Sequence, residues 1–173
     1  MLNENLGNKF DIVSIFKPNA PLANVIEDLG KLGKGLTKQD HILIVGGPGN
    51  SLDRNKKYSI EKDVDFIAKR TTNTNVGLVN LFSRHDRPWM NERVRRVNLR
   101  LDRALMGRDT SHIGVIDTAS LVRGDYTTHG LHLNSLGKKR LTHLIAGRIC
   151  GGHVSSVSNI PVITHVRTSP FLA

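Results

Sequence analysis

Residues 41–45 read HILIV, and this run restricts the fold more than any other stretch. A strand with one wet face alternates apolar and polar side chains. A short run without alternation belongs to a strand covered on both faces, as in parallel sheets packed between helices. Three further runs share its character: FDIVSIF at 10–16, NVGLVNLF at 75–82 and HIGVI at 112–116. Helical spacing fills the intervals. Pro21 stands at a first helical position, Leu22, Val25, Ile26 and Leu29 follow, and Gly30, Gly33 and Gly35 end that helix. Ser59 is a cap for a helix carrying Ile60, Val64, Ile67 and Ala68 on one face. From Met90 to Met106, the residues Met90, Val94, Val97, Leu101 and Ala104 form an inward stripe. Leu133 and Asn134 open a last helix, with Ser135 as its candidate cap and Leu141, Leu144, Ile145 and Ile149 as its buried side. Strands alternating with helices predict an α/β fold, a three-layer α/β/α sandwich with a mostly parallel sheet. The domain is expected to span 1–150. A Ser-rich tail, 151–173, follows Gly151-Gly152, with one strand-like run, Ile160 to Val166, broken by Pro161. There is no internal repeat.

Composition narrows the function. A chain of 173 residues with 38% hydrophobic and 23% charged residues is long and apolar enough for one globular domain. No apolar run approaches the roughly 20 residues of a membrane span. The polar N-terminus lacks the apolar core of a signal peptide, so the expected location is intracellular, in the cytoplasm. The single cysteine, Cys150, excludes an intramolecular disulfide and a thiolate cluster. A formal charge of +10 and a pI near 10.2 point to a polyanionic partner, either nucleic acid or an anionic membrane surface.

The chemistry concentrates in 125–140, DYTTHGLHLNSLGKKR, which sets His129 and His132 on a Gly-containing loop before a helix. A histidine on a loop at the mouth of a rigid scaffold suits a general base. His129 with His132, or His85-Asp86, does not match an established metal spacing. Gly46-Gly47-Pro48-Gly49-Asn50 lacks the Lys-Ser/Thr of a phosphate loop and the spacing of a dinucleotide fingerprint, so no cofactor is expected. Arg93, Arg96, Arg100 and Arg103 form a second stripe on the Met90–Met106 helix. It reads either as a phosphate track or as a solvated face paired with Glu92 and Asp102. Arg84, Arg87, Arg95, Arg108, Lys138, Lys139 and Arg140 could extend the patch.

Together these blocks, from about Phe10 to Ile149, resemble the SGNH (GDSL) hydrolase family. Thr128-His-Gly-Leu-His-Leu-Asn134 resembles its histidine block. The turn after HILIV resembles the block carrying an oxyanion Gly and Asn, which assigns those roles to Gly47 and Asn50. Arg84-His85-Asp86-Arg87, followed by a helix with Asn98, is similar to the region before the last block. The pattern is also similar to SGNH-like sequences of insect genomes and retroelement reading frames. The resemblance implies a flavodoxin-like sheet and acyl transfer, in which a serine of a Gly-Asp-Ser motif attacks an ester and the loop histidine takes its proton.

The sequence departs from that plan. It contains no Gly-Asp-Ser, and FDIVSIF resembles the second strand, as though the chain begins just past the serine block. Ser14, Ser51 and Ser83 lack the Gly-flanked turn that exposes a nucleophile. The family's acid lies three residues before the histidine, where this chain has His129. Asp125, seven residues before His132, is the nearest substitute. The irregular Gly47-Pro48-Gly49-Asn50 leaves the register of Asn50 open. In the family's sheet the serine strand lies between the strands matched by FDIVSIF and HILIV. Its absence leaves a slot with unpaired backbone groups on both sides; the sheet closes up, another segment fills the slot, or the fragment is poorly stable, and the best candidate filler is the Ile160 to Val166 run. The reading is a catalytically impaired SGNH-like domain that binds an anionic partner such as RNA, as some members of this fold do after losing the triad. The alternatives are a carboxylic-ester hydrolase with His132 as general base, and a decayed reading frame.

Overall fold

The computed structural model describes residues 10–17, 20–46, 59–106 and 109–150, together with the backbone of a strand at 158–164. In chain order it contains β1 (Phe10–Phe16), α1 (Leu22–Ile26), α2 (Leu29–Leu32), β2 (His41–Val45), α3 (Ile60–Arg70), β3 (Asn75–Val79), α4 (Asn91–Leu105), β4 (Ile113–Ile116), α5 (Ser135–Cys150) and β5 (Ser158–Thr164). The sheet has five strands in the order β1-β5-β2-β3-β4, all parallel.

The alternating faces of the strands divide the core. Ile42, Ile44, Val76, Leu78 and Ile113 pack with Val25, Leu29, Val64, Ile67 and Leu101 of helices α1 to α4. Leu43, Val45, Val79 and Ile116 pack with Ile145 and Ile149 of α5 on the opposite face. HILIV is thus buried on both sides, with Ile42 to Val45 all in the core. The molecule is a three-layer α/β/α sandwich.

The slot between β1 and β2 is occupied. Strand β5 lies parallel to both neighbours, with Phe10↔Ser158 to Phe16↔Thr164 on one side and Leu43↔Val162 to Val45↔Thr164 on the other. Pro161 does not break this strand, contrary to the reading of the sequence. The ladder with β2 starts at Val162, just past the residue that has no N–H to donate. The sheet therefore draws on residues beyond 150.

Other boundaries shift for local reasons. The first helix divides in two, and Lys17 Nζ closes the end of α1 by donating to Asn24 O at 2.8 Å, Glu27 Oε1 at 2.7 Å and Asp28 Oδ2 at 2.8 Å. Strand β3 stops at Val79 rather than Phe82, because the backbone of Leu81 is taken by the side chain of Asn98, as described below. The cap of α5 is Asn134, not Ser135. Its Oδ1 accepts from the Gly137 N–H at 2.9 Å, and Ser135 is the first helical residue. Ser59 does precede α3, but its hydroxyl donates to Glu61 Oε2 at 3.0 Å instead of capping the backbone.

Candidate functional site

The connection after β3 leads to α4 on the first face of the sheet, and the connection after β4 leads to α5 on the second. Where successive connections part in this way, a parallel sheet opens a crevice beyond the carboxyl ends of its strands. Here polar side chains stitch the base of the crevice. Asn80 Nδ2 donates to Asp117 Oδ1 at 2.9 Å, and Asn80 Oδ1 accepts from the Thr118 N–H at 3.0 Å and its hydroxyl at 2.7 Å. Two asparagines of α4 hold the loop that follows β3. Asn98 exchanges hydrogen bonds with the Leu81 backbone at 2.8 and 3.0 Å, and Asn91 does the same with Arg84 at 2.6 and 3.1 Å. Of the three asparagines, sequence reasoning singled out only Asn98. The available signal was a polar residue ending an apolar strand, or an Asn within an otherwise charged helix.

The histidine loop docks against this scaffold. Tyr126 bridges Leu133 in antiparallel fashion, and the Thr127 N–H donates to His132 O at 2.7 Å. Asn134 Nδ2 donates to the carbonyls of Gly124 and Tyr126 at 2.8 and 3.0 Å. The Arg123 guanidinium holds the carbonyls of Thr127 and Thr128 at 2.8 and 2.6 Å. Gly130 is buried at φ +73°, and its carbonyl accepts from the His85 N–H at 3.0 Å. A Cβ there would lie 2.8 Å from the backbone of His85 and Asp86.

His132 is half-buried and His129 is exposed. Among the described residues neither imidazole has a hydrogen-bond partner. No described hydroxyl or carboxylate is bonded to His132. Ser14 is exposed within β1, Ser83 is half-buried after β3, and Ser51 lies outside the described residues, as do Gly47 and Asn50. Asp125 is not aimed at His132. Its Oδ2 accepts from the Val122 N–H at 2.8 Å and from Arg140 Nη1 at 2.8 Å, and its side chain is 0% exposed. The structure thus brings His132 and Asp125 into one loop region without joining their side chains.

A cluster of buried polar atoms lies behind the loop. The rings of His85 and Tyr126 meet edge to face, with centroids 4.5 Å apart. Among the described residues, His85 Nε2 and Asp125 Oδ1 are buried without a partner in hydrogen-bonding geometry, and Tyr126 Oη is buried beside the Ser83 backbone. Burial pushes the Tyr126 phenol above its ordinary pKa, and the Asp125 carboxylate adds to the effect.

A hydroxyl–imidazole pair does occur elsewhere, between Thr71 Oγ1 and His112 Nε2 at 3.2 Å. The Thr71 hydroxyl already donates to Ile67 O at 2.8 Å, and both residues precede their strands at the amino edge of the sheet, away from the crevice. This contact is structural. A cavity of about 30 Å³ lies between the ends of β2 and β3 and the helices, lined by Leu22, Ile44, Gly46, Leu81, Val97 and Leu101. Among the described residues no three His, Cys, Asp or Glu side chains gather as a metal site.

Carboxylates engage part of the arginine stripe. Arg100 forks onto Glu61 at 2.9 to 3.1 Å, and its hydrogen bonds hold that carboxyl down at about 2. Glu92 is shared between Arg95 and Arg96, each at 2.9 Å, and is likewise held at about 2. Arg93 is half-buried, and Arg103 is exposed. No described helix is long and apolar enough to cross a membrane. Comparison of the chain with protein-family models, with curated proteins and with solved structures found no match in any of the three.

Proposed function

We propose that this chain is an SGNH-hydrolase-like domain with impaired catalysis that binds an anionic partner inside the cell, with RNA as the first candidate. The observation that carries the reading is the state of His132. It is held by a well-tied loop at the carboxyl edge of the sheet, yet no described hydroxyl or carboxylate engages its ring. A general base without a nucleophile or an orienting acid retains little of the family's rate. The charge of +10 supplies the attraction for a polyanion. The α4 stripe contributes, since one carboxylate between Arg95 and Arg96 leaves net positive charge. The test is retention of RNA at low salt. Retention should fall as salt rises and weaken when Arg96 and Arg100 are both changed to Glu. Absence of retention at low salt would refute the reading.

The second reading is a carboxylic-ester hydrolase with His132 as general base, Asp125 as a distant acid, and Gly47 and Asn50 as oxyanion donors. The fixed docking of the histidine loop through Gly130 favours it, because positional constraint is what a catalytic base requires. Hydrolysis of a short-chain chromogenic ester, abolished by His132→Ala, would establish it over the binding role.

A further inference from the structure

Trp89 is the chain's sole tryptophan, and it is 76% exposed. An indole this open is unusual, since tryptophan is on average among the well-buried residues. Its loop is not slack. Pro88 opens a 3-10 turn whose Met90 N–H bonds Arg87 O at 2.9 Å. Just upstream, Arg84 clasps Asp86 through two bonds of 2.7 and 2.6 Å, and Asn91 clamps the Arg84 backbone. The backbone on both sides of the indole is therefore fixed while its ring stays in water.

The surroundings are cationic. Residues 84–103 contain seven arginines against three carboxylates. Two of those carboxylates are engaged, Asp86 by Arg84 and Glu92 by Arg95 and Arg96, and Glu61 of α3 engages Arg100. The Arg87 side chain is 59% exposed, and its ion pair with Asp86 is a long 4.0 Å. An open aromatic face on a fixed backbone beside an excess of positive charge is the arrangement that binds single-stranded nucleic acid. Arginines follow the phosphates and a base stacks on the ring. A membrane-inserting loop would instead group several exposed apolar side chains, whereas here only Pro88 joins Trp89 as an exposed apolar neighbour, and Arg87 and Glu92 lie exposed on either side.

We propose that Trp89, flanked by Arg87 and the first turns of α4, is a stacking platform for a base of single-stranded RNA. This rests on the polyanion-binding reading above and adds to it the strandedness of the ligand and the residue that meets it. Because Trp89 is the only tryptophan, intrinsic emission reports on this site alone. A 15-residue oligouridylate should bind at low salt by polarisation of an end label and quench the emission. Heparin, which has charge but no bases, should bind without quenching. Trp89→Ala should weaken oligouridylate binding about tenfold or more while leaving heparin affinity unchanged, and Trp89→Phe should recover part of the loss. Circular dichroism of the variants guards against misfolding.

Oligouridylate binding with unchanged emission and wild-type affinity in Trp89→Ala would overturn the platform while leaving the polyanion reading intact. Failure of both oligouridylate and heparin to bind would overturn both. Emission that shifts with anionic phosphatidylserine vesicles and not with RNA, or with protein concentration alone, would assign the indole to a membrane or to a second copy and refute the proposal.

Discussion

The docking of the histidine loop can be tested with three glycine-to-alanine substitutions that separate backbone strain from packing. Gly124 has no positive φ, and an added Cβ would meet nothing within 4 Å, so Gly124→Ala should change stability by about 0.5 kcal/mol or less. Gly35 is at φ +86° in open space, and Gly35→Ala should show the left-handed penalty alone, about 1–2 kcal/mol. Gly130 combines φ +73° with a Cβ that would sit 2.8 Å from the His85–Asp86 backbone. That backbone follows directly on Arg84, which Asn91 clamps, so the loop is expected to lift and the His85 N–H to Gly130 O bond to be lost. The lost bond adds about 1 kcal/mol. The surrender of loop burial brings Gly130→Ala to roughly 3–4 kcal/mol in all. For a chain of this size that corresponds to a fall in Tm of about 10 °C. Urea unfolding of the three variants gives the comparison directly. If Gly130→Ala falls within about 0.5 kcal/mol of Gly35→Ala, the contact with 85–86 is not what fixes the loop, and the positional argument for His132 fails with it.

Other substitutions examine the supports one at a time. Asn98→Ala strips two hydrogen bonds from the Leu81 backbone and should cost about 1–3 kcal/mol in thermal or urea unfolding; a loss under 0.5 kcal/mol would show the clamp to be incidental. Glu61, held at about 2 chiefly by its hydrogen bond to Arg100, should stabilise the fold fully above its ordinary carboxyl range near 4.5 and lose that contribution as pH falls through about 2. Both partners are exposed enough for water to screen them. A Glu61/Arg100 double-mutant cycle at neutral pH should therefore read no more than about 1 kcal/mol and vanish near pH 2. Ending the chain at Cys150 removes β5 and unpairs the facing edges of β1 and β2. Amide exchange at 11–16 and 42–45 should then rise steeply, and unchanged protection would mean that β5 does not hold the sheet together.

The architecture was legible because periodicity carries it. HILIV, the helical spacing at 60–68 and the stripe at 90–104 each state how many faces must be covered, and the sandwich follows from those local statements. Boundaries were legible only where the backbone continues its own pattern. Asn98 ends β3 early from nearly twenty residues away, and Asn134 displaces Ser135 as the cap because its amide reaches the Gly137 N–H. Neither contact has a signature in local propensity.

The sequence by itself determined an α/β chain with an excess of positive charge, a histidine loop before the last helix, and no Gly-Asp-Ser, since spacing and composition are properties of neighbours along the chain. Only the tertiary structure decided that β5 lies between β1 and β2, that Asp125 turns to Arg140 and Val122 rather than to His132, and that Glu61 and Glu92 engage part of the arginine stripe. Those are choices among partners distant in sequence. They are settled by which buried hydrogen bonds and charges can be satisfied together, and no single stretch of residues encodes that.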